Sequence, residues 1–362
     1  MTVPLFDTAT PLAPLRERIE QRVVEVLRKG VFILGPEVAA FEREFAAQLG
    51  VAHAVGVANG TDALTIALRA LGVGPGDEVV VPSFTFYASA EAVPPTGARP
   101  VFCDIDPETF CVTPETVRAA LTPRTKAIIT VDLFGNVAPT TEIREATGLP
   151  VIEDAAQAAG ATRNGAAAGT FGDVATFSFF PSKNLGAFGD GGAISTDDDA
   201  LAERLRMLRF HGSRDKVTFE EVGYNSRLDE VQAVILREQL PSLPAWVEGR
   251  RAAARHYADA GLGDVAIAPK PVDGAAPAWH LYVIRHEHAD ALGAALAEAG
   301  IQTRAYYRVP THRQPAMAAF ASEADLPGTA EAARTHLAIP MSPVLTREQA
   351  AAVVAAIRAA EL

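Results

Sequence analysis

The chain has 362 residues, of which 49% are hydrophobic, and this predicts a large domain with a substantial core and a second, smaller domain. Asp and Glu outnumber Lys and Arg by 44 to 32, and no basic cluster stands out, so we expect no nucleic-acid partner. The sequence has no apolar run near the roughly 20 residues that span a bilayer and no basic-then-apolar N-terminus, which predicts a cytoplasmic protein without a membrane partner.

The first two-thirds of the chain alternates short apolar runs with amphipathic stretches. The apolar runs are AVGVA (54–58), EVVVP (78–82), RPVFCDI (99–105), KAIITVD (126–132), PVIED (150–154), VATFSFF (174–180) and GAIST (192–196). Helical patterns such as TDALTIALRALG, TPETVRAAL and APTTEIREAT lie between several of them. This order predicts an α/β fold with a mostly parallel seven-stranded sheet between helices, and a ligand site at the carboxyl ends of the strands.

The pattern changes after the last of these runs. A helix-rich stretch broken by Pro241 and Pro244 precedes a strand-like WHLYVIR (279–285), a further helix, a short segment and two last helices. This predicts a smaller C-terminal α+β domain. We expect the large domain to span 1–240 and the small domain 241–362.

The segment FSFFPSKNLGAFGDGGAI (177–194) places Lys183 between an aromatic strand and a run of glycines. A lysine in an apolar setting loses hydration, which favours the neutral amine that forms a Schiff base with an aldehyde. The glycines allow the close backbone approach that a bulky cofactor needs. A lysine in an exposed turn has the same local pattern, so this motif alone does not separate the two interpretations.

The segment VIEDAAQAAGA (151–161) places Asp154 where an apolar strand gives way to an alanine-rich stretch that we predict to be a helix. A fixed carboxylate there can stabilise the protonated ring nitrogen of a pyridine cofactor. Gln157, one helical turn further on, is near enough to bond a ring hydroxyl. Capping of the helix by Asp154 is the alternative, and the motif alone favours it.

The segment VANGTDALTIAL (57–68) predicts a strand that ends by Gly60 and a helix that begins at Thr61 or just after. Free backbone N–H groups and the helix dipole make such a start a natural phosphate site, to which Thr61 and Ser178 add hydroxyl donors. An ordinary helix cap gives the same pattern.

Two smaller signals accompany these motifs. Phe86 in VPSFTFYAS follows a buried strand and is a candidate to stack on a flat heteroaromatic ring, with a core phenylalanine as the alternative. Asn225 in VGYNSRLDE is a candidate phosphate contact, with a turn residue as the alternative.

Together, NGTDAL, PSFTF, EDAAQA, FSFFPSKNLGAFGDGG and GYNSRLDE resemble the patterns of the DegT/DnrJ/EryC1/StrS family, sugar aminotransferases of fold type I that depend on pyridoxal 5'-phosphate. The resemblance runs through nearly the whole chain. It implies that Lys183 is the Schiff-base lysine and proton shuttle, that Asp154 pairs with the pyridine nitrogen, and that Gln157 lies near the ring oxygen.

The same resemblance assigns the remaining cofactor contacts. Phe86 stacks on the ring, and Gly60, Thr61 and Ser178 hold the phosphate. Asn225 reaches the phosphate of the neighbouring subunit's cofactor, which implies a homodimer with shared active sites.

The implied activity moves the amino group of L-glutamate to a keto group of a nucleotide-linked deoxy-ketosugar, with 2-oxoglutarate and an aminosugar as products. The form FFPSKNLGAFGDGG resembles members that act at C3 of the sugar. An aminotransferase for a ketocyclitol is the nearest alternative. A non-catalytic regulator is a weaker one, as is a nicotinamide-dependent dehydrogenase, which needs a glycine fingerprint that is missing after the first strand.

The C-terminal domain is expected to supply part of the sugar pocket. The candidates are His280 and Tyr282 in WHLYVIR and Tyr307 and His312 in AYYRVPTH, with Arg227 proposed for a glutamate carboxylate by position and charge. Family members often have His-Tyr where this chain has Tyr-Tyr at 306–307. The nearby HEH triplet lacks further ligands at helical spacing, so we expect no metal site.

Overall fold

The computed structural model describes residues 2–320 and 324–362. The strands are β1 (His53–Val57), β2 (Glu78–Pro82), β3 (Arg99–Cys103), β4 (Thr125–Val131), β5 (Val151–Asp154), β6 (Thr162–Arg163), β7 (Ala166–Ala167), β8 (Val174–Ser178), β9 (Gly192–Thr196), β10 (Ala275–Ala276), β11 (Tyr282–Arg285) and β12 (His336–Ile339). The helices are α1 (Ala9–Leu12), α2 (Arg16–Lys29), α3 (Pro36–Leu49), α4 (Gly60–Ala70), α5 (Ala88–Glu91), α6 (Pro114–Ala120), α7 (Thr140–Thr147), α8 (Asp199–Leu208), α9 (Glu230–Gln239), α10 (Leu243–Asp259), α11 (Ala289–Glu298), α12 (Pro327–Thr335) and α13 (Arg347–Ala359).

Seven strands form one sheet in the order β1-β9-β8-β5-β4-β2-β3. Strand β9 runs antiparallel to both of its neighbours, whereas the pairs from β8 to β3 are parallel. The predicted α/β fold with a mostly parallel seven-stranded sheet is confirmed. The seven apolar runs match these strands with ends that differ by a residue or two.

Alternate residues of each strand point to opposite faces of this sheet. Since apolar side chains lie on both faces, helices cover both of them. In β1, Val55 and Val57 are fully buried in the cluster that includes Ile66 of α4. Ala54, the residue before Val55, joins the cluster of the other face, which contains Phe45 of α3. A strand buried on both faces reads as a continuous apolar run, which explains why the sequence identified it.

The strand directions bring several chain segments to one edge of the sheet. Strands β4, β5 and β8 are parallel, and β1 runs in the same direction as β8 because both are antiparallel to β9. Their carboxyl ends therefore meet, and Asp154, Ser178 and the start of α4 lie at that common edge.

The C-terminal part has its own core. Strands β11 and β12 pair antiparallel, and residues of α10, α11 and α13 pack with them. The predicted strand at 279–285 begins only at Tyr282, since Trp279 has a left-handed φ of 43° that extended backbone does not adopt. Strand β12 and the small sheet β10-β6-β7 were not predicted. The division at residue 240 stays a prediction.

Two further observations complete the fold. The helix-rich stretch after residue 228 consists of α9 and α10 joined by a 3₁₀ turn at Leu240–Ser242, where Pro241 breaks the α-helical pattern. Among residues 2–320 and 324–362, no helix combines the length and the apolar character required to cross a membrane.

Candidate active site

A cavity of about 1100 Å³ lies at the carboxyl edge of the sheet, between the sheet and the C-terminal part. Most of the predicted site residues line it together: Gly60, Thr61, Phe86, Asp154, Gln157, Ser178, Lys183, His280 and Tyr307. Residues that are far apart in sequence converge here because the strand ends converge.

Lys183 enters the cavity from a tight turn after β8. Its backbone N–H donates to the Phe180 carbonyl oxygen at 2.8 Å, which fixes the turn. Burial lowers the pKa of the amine to about 8, and the nearby Asp154 carboxylate opposes this change. A substantial fraction of the amine is therefore neutral near pH 8, as a nucleophilic lysine requires.

Asp154 ends β5 and is buried, with 5% of its surface exposed. Its carboxylate accepts hydrogen bonds from the Ser89 hydroxyl at 2.7 Å and from the Ala156 N–H at 3.2 Å. Burial raises the pKa of Asp154, while these two donors and the Lys183 ammonium favour the carboxylate. The side chain can thus hold a cationic ring nitrogen in a dry environment.

The helix predicted after Asp154 is absent, so that prediction is wrong. Residues 155–161 form consecutive tight turns, in which Ala158 N–H donates to Ala155 and Ala161 N–H donates to Ala158. Gly160 adopts a φ of 84° and packs so closely on Val247 that a Cβ would lie 2.6 Å from it. Since no helix follows, capping does not explain Asp154.

Gln157 is held by both ends of its side-chain amide. Its Oε1 accepts from the Phe134 N–H at 2.8 Å, and its Nε2 donates to the Tyr307 hydroxyl at 3.3 Å. The Phe134 and Tyr307 rings are nearly parallel at 6.1 Å, and both residues have left-handed φ values of 61° and 70°. The amide orientation next to the cavity is therefore set by two unusual backbone positions.

The start of α4 forms a concave surface of backbone donors. The Asn59 side chain accepts from the Asp62 N–H at 2.8 Å, which leaves the N–H groups of Gly60 and Thr61 without a partner inside the helix. A Cβ on Gly60 would lie 2.8 Å from the Ser178 Cβ, so the close approach of strand and helix requires glycine. Such a helix start binds a phosphate group.

Phe86 and His280 occupy other parts of the lining. Phe86 is 55% exposed and its ring centroid lies 6.2 Å from that of Tyr307, so the core alternative is wrong. His280 is buried, and burial together with the charges of Lys183 and Arg250 holds its pKa well below the usual value. Its buried Nδ1 has no hydrogen-bond partner among the described residues.

The position of Tyr282 differs from the prediction. Its ring stacks on Tyr257 at 5.3 Å and meets Trp279 edge-on at 5.2 Å, inside the C-terminal core. It is 95% buried there and does not line the cavity, so the predicted contact with a substrate is wrong.

Three other predicted residues also lie outside the cavity lining. His312 Nδ1 pairs with the Ser83 hydroxyl beside the lining residue Thr311. Asn225 is exposed and its backbone bridges to Phe210, and Arg227 is near it in sequence. Neither Asn225 nor Arg227 reaches the cavity of its own chain. A role for Arg227 in a site built by one chain is therefore not supported.

Some lining residues were missed. Ser89 holds Asp154, and its position three residues after Phe86 on a short helical turn is the signal that could have identified it. Arg304 and Arg308 line the cavity and flank the aromatic pair at 306–307 in sequence. Their signal was the concentration of arginine in TRAYYR.

The donor set fits pyridoxal phosphate. The α4 start suits the phosphate, the buried Asp154 carboxylate suits the ring nitrogen, and the Lys183 amine suits the aldehyde. Gln157 and His280 add polar side chains to the lining of the same cavity.

Comparisons with known proteins agree with this fit. The DegT/DnrJ/EryC1/StrS aminotransferase family matches residues 14–358. A UDP-N-acetyl-3-dehydro-alpha-D-glucosamine 3-aminotransferase from Acidithiobacillus ferrooxidans is 47% identical over 359 residues, which cover 98% of this chain and 97% of the relative. A protein of Geobacillus stearothermophilus described as a pleiotropic regulatory protein is 47% identical over 356 residues, 96% of each chain.

A solved structure extends the agreement to three dimensions. Streptomyces venezuelae DesV in complex with a ketimine intermediate superposes with a TM-score of 0.96 at 45% identity, covering 100% of this chain and 99% of that one. The chain belongs to the DegT/DnrJ/EryC1/StrS family and is a pyridoxal-phosphate-dependent sugar aminotransferase of fold type I.

Proposed function

We propose that this protein transfers the amino group of L-glutamate to the C3 keto group of a nucleotide-linked deoxysugar. One observation carries the proposal: Lys183, Asp154 and the start of α4 converge on a single cavity of about 1100 Å³. That volume slightly exceeds the usual range of ligand pockets, so it accommodates a cofactor together with a second large ligand.

Different residues of the chain hold different parts of the cofactor. Bound pyridoxal phosphate supplies an aldehyde and an electron-withdrawing ring. Gly60, Thr61 and Ser178 bind its phosphate, Phe86 stacks on the ring, and Asp154 keeps the ring nitrogen protonated.

Lys183 then acts as the base. Its neutral Nζ takes the proton from the α carbon of L-glutamate, and in the second half of the cycle it returns a proton to C3 of the sugar. Over the full cycle L-glutamate becomes 2-oxoglutarate, and the sugar ketone becomes an amine.

The choice of C3 rests on similarity. The relative from Acidithiobacillus ferrooxidans is named for a 3-dehydro sugar and a 3-aminotransferase activity, and it is 47% identical to this chain. The segment FFPSKNLGAFGDGG around Lys183 resembles members that act at this carbon.

The proposal includes a homodimer with shared active sites. Asn225 is exposed and lies outside its own cavity, as expected for a residue that serves the cofactor phosphate of a second copy. The free and buried thiols of Cys103 and Cys111 fit the reducing cytoplasm, where we place the reaction.

The substrate is tested most simply in reverse. Nucleotide-linked 3-amino sugars, nucleotide-linked 4-amino sugars and free aminocyclitols are each incubated with 2-oxoglutarate, and L-glutamate is measured by mass spectrometry. We expect glutamate only from the 3-amino sugars, and none with Lys183→Ala. Glutamate from the 4-amino sugars or the cyclitols alone would overturn the proposed substrate.

A further inference from the structure

Two arginines, Arg304 and Arg308, line the cavity, and they differ in the contacts that their side chains make. Arg308 pairs with Asp290 and also donates to two backbone oxygens at 2.8 Å. In the part of the chain that the structure describes, no acidic side chain lies within ion-pair distance of Arg304. The positive charge of Arg304 is therefore available to a ligand.

Arg304 is held in a defined orientation. Its backbone N–H and carbonyl pair with Ala338 of β12 at 3.1 and 2.9 Å. Its guanidinium lies over the Tyr306 ring, with Cζ 5.2 Å from the ring centroid. A guanidinium held over an aromatic ring is partly preorganised, so less conformational freedom is lost when it binds an anion.

The position of Arg304 limits which anion it can meet. The residue lines the active-site cavity and also an adjoining groove with Gln302 and Asp290, so it lies at the rim where the two meet. The carbon that receives or loses the amino group must lie next to Lys183. The α-carboxylate of glutamate is attached to such a carbon, whereas the diphosphate of a nucleotide-linked sugar is carried on C1, two ring carbons away from C3.

We infer that Arg304, oriented by Tyr306, binds the diphosphate of the nucleotide-linked sugar. The inference rests on the proposed function and adds the residues that select its substrate. A planar guanidinium presents paired N–H groups that match two phosphate oxygens, which a lysine at this position does not.

The test measures binding without turnover. Uridine diphosphate and inorganic pyrophosphate are titrated into the cofactor-loaded protein by calorimetry. We expect Arg304→Gln to weaken both by at least about tenfold, because a charge-assisted contact is lost. Arg304→Lys, which keeps the charge without the planar pair of donors, should bind with intermediate affinity. Arg118→Gln removes an exposed charge of α6 outside the cavity and should bind like the wild type.

Tyr306 provides a second and independent variant pair. Tyr306→Phe keeps the aromatic face and loses only the hydroxyl, which the Arg304 side chain also approaches, so its affinity for uridine diphosphate should fall less than that of Tyr306→Ala. Tyr306→Ala removes the face and should weaken binding by about two- to fivefold, the range of an exposed cation–π contact.

The same samples separate this inference from the proposed function. The loss of the visible cofactor band on addition of L-glutamate should have the same rate in Arg304→Gln and in the wild type. Binding of both probes that is unchanged within about twofold in Arg304→Gln would overturn the inference. A slowed response to glutamate with intact probe binding would also overturn it, since Arg304 would then serve the amino donor. A wild type that responds to glutamate but binds neither probe would refute the diphosphate site alone.

Discussion

The buried environment of Lys183 favours the neutral form of its amine, which is the reactive form. Burial lowers the pKa of its amine to about 8, whereas the carboxylate of Asp154 raises it. The neutral amine is the nucleophile, so its concentration rises as the pH rises through that pKa. The apolar setting that the sequence indicated around residue 183 is the cause.

The first prediction concerns pH. Pyridoxal phosphate added to cofactor-free protein should be captured faster as the pH rises, with a midpoint near pH 8 instead of the ordinary lysine value of 10.5. In Asp154→Asn the opposing charge is removed, so the midpoint should move to lower pH. Stopped-flow absorbance measures the capture rate. A midpoint that stays above pH 10 in the wild type, or that rises in the variant, would contradict the account.

At the scale of elements, the contact between α4 and β8 shapes the phosphate site. A Cβ at Gly60 would lie 2.8 Å from Ser178 Cβ and 3.3 Å from its Cα. Gly60→Ala should therefore displace the helix start and weaken pyridoxal phosphate binding by at least about fivefold, as overpacking does. Fluorescence titration of the cofactor-free protein measures the affinity.

The matched variants for this prediction are in the same chain. Gly74→Ala meets no atom within 4 Å and should bind the cofactor like the wild type. In a Ser178→Gly background the clash is relieved, so adding Gly60→Ala should have little further effect. An equally large effect of Gly60→Ala in both backgrounds would show that the close approach is not the cause.

Glu230 links two other elements. The buried carboxylate, at the start of α9, accepts the N–H groups of Gly35, Glu37 and Val38 at 2.9, 3.0 and 2.8 Å and so caps α3. Glu230→Ala leaves these donors unpaired and should lower the free energy of unfolding by about 2–4 kcal/mol.

Urea unfolding of the cofactor-loaded protein measures this loss. Glu230→Gln keeps one acceptor and should lose less stability than the alanine variant. Glu145→Ala, an exposed change in α7, should stay within about 0.5 kcal/mol of the wild type. Equal stabilities of the Glu230 and Glu145 alanine variants would show that the cap contributes nothing.

At the scale of the molecule, the proposed dimer predicts complementation. In the proposed dimer, each site takes Lys183 from one subunit and Asn225 from the other. A dimer of one Lys183→Ala chain and one Asn225→Ala chain therefore has both substitutions in one site and keeps the other site intact. Random mixing makes half of the dimers mixed, and activity should recover to about a quarter of the wild-type value. Sedimentation should give twice the chain mass of 38.1 kDa. A stable and active monomer would refute the shared site.

The sequence predicted the sheet well because strands buried on both faces are continuous apolar runs. It also predicted the group around Lys183, Asp154 and Gly60, since these residues follow strand ends that a parallel sheet brings together. These predictions depended on short-range patterns and on a simple topological rule.

Other features depend on contacts that periodicity does not encode. The alanines after Asp154 have a helical pattern, yet Gly160 and its packing on Val247 impose turns. Tyr282 was proposed together with His280 because both lie in WHLYVIR, but the strand begins only at Tyr282, whose ring packs in the C-terminal core. The left-handed backbone of Tyr307 had no local sequence signal.

The central claim is that Lys183 carries pyridoxal phosphate and that L-glutamate donates the amino group. The most direct measurement is the absorbance spectrum of the purified, cofactor-loaded protein before and after L-glutamate is added. We predict a visible band that requires Lys183 and that L-glutamate abolishes within one half-reaction. A protein that shows no visible band after addition of pyridoxal phosphate, or whose band persists with L-glutamate, would contradict the account.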